Sequence, residues 1–420
     1  MKRVISLLAA LALLLALCAS CAESTATGEA KPQANGTVTL YVYNWGEYMS
    51  DGSEDSADVN ADFEDYFNEN LADEYGFKVK MNYSTYSSNE DMYAKIKSGA
   101  VAYDVIVPSD YKIERMIQED LLAPLDFDAI PNFETNIMDE FKNPSYDPEN
   151  AYSVPYAYGM VGIIYNTAVV DEEDENVGSW KLMFDENSPY AHDILQFNNP
   201  RDAFGTALYY LGYDVNEATE TQWREALDLL KSQKGILQGY VMDEIFNKMQ
   251  SGSSSIAAYY AGDFLAMYED NEDLEFFYPV EGTNYYVDAF CIPKNSKNKA
   301  VAQEYINFML DEDPAVANAE YTYYASPNTL VRESEEYREC MEEIKEDAYD
   351  ILYGEPSENY VKTMYKDLGE EGIARMNQYW EELKVESSVS VVIYVICGLI
   401  VAVIAALAIF FAVRKRIRAI

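Results

Sequence analysis

Histidine is almost missing from this chain: His192 is its single imidazole in 420 residues. A histidine zinc site or a Ser-His-Asp triad would have to be built on that one ring, and no cluster of other metal ligands accompanies it. No metal or cofactor is expected. Cysteine is scarce as well, at five, which is too few for a disulfide scaffold. Cys18 and Cys21 lie near the N-terminus and Cys397 in an apolar run near the C-terminus, leaving Cys291 and Cys340, whose pairing the sequence leaves open. Basic residues are short too: 30 Lys and Arg stand against 73 Asp and Glu, a net charge of −43. Nucleic acid is thereby excluded as a partner, because two polyanions repel, whereas small cations are drawn in. No repeat of solenoid period is present.

What the chain has in quantity is length, acid and tyrosine. Its 420 residues suffice for two lobes with real cores. Residues 1–20 combine a basic start (Lys2, Arg3), an apolar run and small residues before Cys21. That pattern reads as an export signal ending at a lipid-modified cysteine. Residues 21–36 are small and polar, a flexible tether. At the far end, residues 387–413 carry no charged side chain, are followed by Arg414, Lys415, Arg416 and Arg418, and as a helix would span about 40 Å. The positive-inside rule puts the basic tail, 414–420, in the cytoplasm and the region between the ends outside.

Residues 37–386 read as the folded part. The run 40–48, LYVYNWGEY, is a buried strand that stops at Asn44 and leaves an aromatic face, a glycine and a carboxylate at its tip. Helical spacing over 59–75, a strand at 77–83, a helix at 89–97, a strand at 103–107 and a helix at 112–122 follow. Such alternation predicts a parallel sheet with helices on both faces, whose ligands sit beyond the carboxyl ends of the strands. Trp45, Gly46 and Glu47 fall there, as do Ser109, Asp110 and Tyr111. Residues 152–165 read as two extended pieces broken near Gly159, crossing to a second lobe. Later come a strand at 194–197, the turn 198–202, helices at 203–211, 221–234 and 240–252, a strand at 255–259 ending in Tyr260-Ala261-Gly262-Asp263, an extended segment at 285–293, and helices at 300–310, 333–352 and 372–383.

Seven segments in one order, YNWGEY, YDVIVPSDY, YSVPYAYG, YAGD, YPVEGTNYYVDAFCIPKNSKNK, INFML and YASPN, make residues 38–367 resemble the polyamine-binding proteins of spermidine/putrescine ABC importers. The resemblance implies an α/β, two-lobed periplasmic-binding-protein-like fold with a hinge and an interlobe cleft. It divides lobe 1 as about 37–154 and 289–326 and lobe 2 as about 155–288 and 327–386. It further implies a non-enzymatic role, delivery of a polyamine to an ABC permease with its ATPase. Carried over residue by residue, Trp45, Gly46, Glu47 and Tyr48 fall on the family's first ligand loop and Ser109 and Tyr111 on the second. Asn199 and Asp202 fall where two acids hold a terminal amine, Tyr260 and Tyr286 on tryptophan positions, Asp288 on the inner-amine carboxylate, Tyr324 on the aromatic beside it and Tyr365 at a late glutamine. Gly46 replaces a hydroxyl residue, Asn199 loses a charge and Asp202 is shorter than the family's Glu.

The same residues make sense without the family. A polyamine is a methylene chain carrying ammonium groups, so its pocket needs carboxylates at matched separations with flat apolar walls between. Two rival chemistries use the same side chains. Tyrosine pairs 209–210, 259–260, 285–286 and 323–324 offer phenolates to ferric iron, and Glu47 with Asp288 offers a carboxylate pair for glycoside hydrolysis.

Overall fold

The computed structural model describes residues 36–385 except 54, 55, 355 and 358. The export signal, Cys21, the tether up to residue 35, and residues 387–420 with their apolar span and basic tail lie outside the described residues. Among the described residues no helix is long and apolar enough to cross a membrane.

Ten strands of the described residues form one connected sheet: β1 (Thr37–Trp45), β2 (Lys78–Tyr86), β3 (Val105–Ile106), β4 (Ser153–Asn166), β5 (Ile194–Phe197), β6 (Leu237–Val241), β7 (Ile256–Tyr260), β8 (Leu274–Phe277), β9 (Thr283–Cys291) and β10 (Lys362–Thr363). Their order is β2-β1-β3-β9-β4-β7-β5-β6, with β8 on β4 and β10 on β9. Pairing is parallel where helical crossovers join neighbours, as for β1 with β2 and β3 and for β5 with β6 and β7. It is antiparallel where β9 meets β3 and β4, and where β4 meets β7 and β8. The sheet is therefore mixed, not wholly parallel as the alternation implied. Antiparallel neighbours need no crossover helix, so a local pattern of strands and helices does not reveal them.

β4 also corrects the expected break at Gly159. It runs unbroken through that residue, its first half on β9 and its second on β7 and β8. Gly159 serves close approach rather than interruption: a Cβ there would lie 2.6 Å from the Tyr286 hydroxyl oxygen. The expected helix over 240–252 is likewise corrected. Residues 237–241 are the strand β6, and the helix is only Glu244–Gln250. The acidic helix expected over 333–352 is two, Glu335–Ile344 and Ala348–Tyr353, and the one over 59–75 divides at Leu71.

Two apolar cores lie on either side of β4 and β9. One gathers Leu40, Val42, Phe63, Phe67, Ile106, Ile113, Phe290 and Tyr305. The other gathers Ile163, Ile164, Trp180, Phe197, Phe204, Leu230, Phe264 and Leu383. A small aromatic cluster of Tyr48, Ala157, Tyr286 and Tyr324 fills the junction between them. Cys291 is buried, Cys340 half-buried, and both are free thiols.

Candidate functional site

Strand ends from both halves converge on one cavity. Capping explains how several of its polar groups are aimed. Ser88 caps the helix Asn89–Ser98 by accepting from the Asp91 amide, which sets Asn89 and Glu90 just beyond the end of β2. Asn199 caps the helix Pro200–Tyr210 by accepting from the Asp202 amide at 2.9 Å. Its own amide donates to Asp202 Oδ2 at 2.5 Å, so Asn199 holds the Asp202 carboxylate in place. At the tip of β1, Glu47 has φ of 48°, a left-handed conformation unfavourable for a side chain other than glycine, and such strain concentrates at functional loops.

All thirteen residues singled out in the sequence line this cavity: Trp45, Gly46, Glu47 and Tyr48 from the β1 tip, Ser109 and Tyr111 beyond β3, Asn199 and Asp202 beyond β5, Tyr260 at the end of β7, Tyr286 and Asp288 on β9, and Tyr324 and Tyr365 from later loops. Sequence reading missed Asn89, Glu90, Met242, Asp243, Phe246, Asp263 and Asn284, named Tyr259 only as a phenolate for iron, and did not assign Asp110 a place in the site. Glu90 and Asp263 lie in the first turn of a helix that follows a strand, and a place just past a strand end is the signal that located Glu47. Asp243 was hidden because β6 was read as part of a helix.

The walls are aromatic and locked by hydrogen bonds. Trp45 Nε1 donates to the Val107 carbonyl at 3.0 Å, and its ring packs on Tyr86 with centroids 4.8 Å apart. Tyr48 meets Tyr324 edge to face at 4.6 Å, and Tyr260 meets Tyr286 at 5.3 Å. Two glycines make room for walls: a Cβ at Gly262 would come within 2.7 Å of the Tyr324 ring, and the Tyr365 hydroxyl occupies the space beside Gly205. Arg201, buried behind this wall, stacks 4.0 Å above the Tyr365 ring and donates to the Val215 carbonyl and Asn216.

Seven carboxylates line the cavity, Glu47, Glu90, Asp110, Asp202, Asp243, Asp263 and Asp288, and no basic side chain does. Glu90 is paired with Lys112 at 3.1 Å. Asp110 accepts from the backbone amides of Tyr111 and Val287 at 2.6 and 3.1 Å, a structural role. Three others each accept one phenol: Asp288 Oδ2 from Tyr48 at 2.7 Å, Asp202 Oδ2 from Tyr260 at 2.8 Å and Asp263 Oδ2 from Tyr324 at 2.8 Å. Asp288 is 5% exposed, and its Oδ1 has no hydrogen-bond partner. Burial pushes Asp288 up to about 6, with the Ser109 and Tyr48 hydroxyls pulling the other way. Burial pushes Asp263 up to about 8, the nearby Asp243 and Glu47 charges adding to it, and raises Asp202 as well. An uncompensated buried carboxylate is costly, so this cavity is arranged for a ligand that brings positive charge.

Of the tyrosine pairs, Tyr259, Tyr260, Tyr286 and Tyr324 line the cavity while Tyr209, Tyr210, Tyr285 and Tyr323 do not. In β9 the cause is strand alternation, which turns adjacent side chains to opposite faces. Burial and neighbouring carboxylates raise the phenols of Tyr260, Tyr286 and Tyr324 well above their ordinary range, which disfavours the phenolate that ferric iron requires.

Residues 63–343 match the family described as bacterial extracellular solute-binding protein. The chain belongs to this family. Among solute-binding relatives, the spermidine/putrescine-binding periplasmic protein of Salmonella typhimurium is 32% identical over 312 residues, 74% of this chain and 84% of that protein. A solved structure from Listeria monocytogenes superposes with a TM-score of 0.71 at 34% identity, covering 83% of this chain and 99% of that one. The spermidine/putrescine ABC transporter substrate-binding protein PotD of Streptococcus pneumoniae gives a TM-score of 0.63 at 32% identity over 82% and 98% of the two chains. The extracellular α/β solute-binding fold expected from the sequence is thus the fold of this chain.

Proposed function

We propose that this protein captures polyamines of the putrescine and spermidine type between its two lobes and hands them to an ABC permease. The observation that carries this reading is the cavity lining itself, in which carboxylates alternate with aromatic faces and no basic side chain intervenes. Ammonium groups pair with carboxylates, and a ring beneath a cation contributes roughly 0.5–2 kcal/mol, more as water leaves. The thirteen residues carried over from the family act as ligand contacts in this reading, with Asp202 and Glu47 toward the chain ends and Asp288 between. β4, which contributes to both cores, and its partner β9 act as the hinge, and the ligand draws the lobes together because it binds both. The relatives named for spermidine and putrescine support the same class.

Titrating putrescine and spermidine into the purified chain tests the reading: saturable heat is expected from both, without any visible absorption band. No heat from either, or a coloured complex with ferric iron in their place, would reject it. A carboxylate-pair hydrolase would turn over glycosides, which a capture protein leaves intact.

Membrane attachment belongs to the same proposal. The Cys21 lipid and the apolar span 387–413 would hold the binder twice to one membrane and raise its effective concentration at the permease. Deleting residues 387–420 is expected to leave polyamine affinity intact and to lower cellular uptake; equal uptake by the shortened chain would make the span dispensable.

A further inference from the structure

Resting on the polyamine reading, the geometry points to Asp243 as a ligand-contacting carboxylate that the second lobe lays over the Glu47 loop, admitted there by the bare backbone of Gly46. Asp243 follows β6 and immediately precedes the helix Glu244–Gln250. It belongs to the half of the molecule opposite β1, yet a Cβ placed on Gly46 would stand 2.7 Å from its Oδ2. That is closer than a side-chain carbon and a carboxylate oxygen approach, so a side chain at residue 46 would displace the Asp243 carboxylate from its place over the loop. Gly46 does not need a left-handed backbone; close approach is its function.

Asp243 is exposed at one end of the cavity, beside Glu47 of the first lobe and the buried Asp263 of the second, whose carboxyl both charges influence. Three carboxylates thus converge from three separate segments. A primary ammonium carries three N–H donors, and a group at this end can share them among Glu47, Asp243 and Asp263. Independent of these three acids, the same lining holds two polar atoms in residues 5% exposed, Asp288 Oδ1 and Asn284 Oδ1, that have no hydrogen-bond partner. Both are acceptors, as a chain of ammonium donors requires. The opposite end is poorer in net charge: Asn199 is neutral, Glu90, whose charge adds to the rise at Asp202, is paired with Lys112, and the Arg201 guanidinium opposes that rise. The Glu47 end is therefore the stronger anchor for a terminal amine.

A double-mutant cycle on the full chain, read by putrescine calorimetry, tests the assignment. Asp243→Asn is expected to weaken putrescine binding about tenfold or more, as removal of a hydrogen bond to a charged group does. Gly46→Ala, which pushes the carboxylate aside, is expected to cost a similar factor in the native background and less than about twofold when Asp243 is already Ala. Melting curves of the ligand-free variants separate binding from folding. An Asp243→Asn affinity within about twofold of the native chain, in the presence of a large loss for Asp288→Asn, overturns the role of Asp243 while leaving the polyamine reading standing. An equal cost of Gly46→Ala in both backgrounds overturns it too. Absence of putrescine binding to the unaltered chain sinks both.

Discussion

Replacing Asp288 by Asn is expected to weaken polyamine binding by a factor of about 100 or more, the equivalent of ~3 kcal/mol. Asp288 sits on β9 at the junction of the two cores, is 5% exposed, and accepts the Tyr48 phenol on Oδ2, while Oδ1 has no hydrogen-bond partner. An inner ammonium placed against it would be cut off from water by Tyr48, Tyr286 and Tyr324 and would depend on this charge. Asn keeps the shape and an acceptor for Tyr48 but removes the counterion, leaving the ammonium buried and unpaired. The ligand-free variant is expected to melt at a higher temperature than the native chain, because an uncompensated buried charge has been removed. Glu47→Gln should also weaken binding, with a smaller loss than Asp288→Asn because it acts at the end of the cavity. Calorimetry with spermidine checks both, and affinities within threefold of native for Asp288→Asn would refute the placement of an ammonium at this residue.

The second large effect is on pH. In the ligand-free protein Asp288 titrates near 6 and Asp263 near 8, and Asp202 is raised as well, in each case chiefly through burial. A carboxyl whose folded value lies above its unfolded value, about 4, retains its proton longer in the folded state. Its stabilising contribution is whole below pH ~4 and is lost as pH rises toward the raised values. From these groups alone, ligand-free stability should fall between pH 4 and 8 by on the order of a few kcal/mol. Binding runs the other way. An ammonium favours the ionised carboxylates, so it expels their protons, and affinity should rise by about 10 to 100-fold from pH 5.5 to 8, while the amines remain charged. Calorimetry in two buffers of different ionisation enthalpy counts the protons released. An affinity flat across this range, with no proton release, would contradict the raised carboxyls.

Much of the cavity lining was legible because its groups sit at the carboxyl ends of strands, and strand ends leave marks in sequence. The apolar run through Tyr43 stops at Asn44, and Trp45 and Glu47 follow; Tyr103 to Val107 gives way to Pro108 and Ser109. Asp263 bears the same mark, standing three residues beyond Tyr260, and could have been found by it. Asp243 could not, because β6 is five residues long, contains Gly239 and buries only its two ends, so it has neither the length nor the alternation that separates a strand from a helix.

Local pattern determined that this chain alternates strands and helices and that its loops carry acid and aromatic groups together, since those properties depend on residues adjacent in sequence. Only the tertiary structure decided that β4 passes unbroken through Gly159, that β9 runs antiparallel between the two halves, and that Gly46 receives Asp243. Each of those depends on which distant segment fills the neighbouring space, and a glycine looks the same in sequence whether it ends a strand or lets another side chain come close.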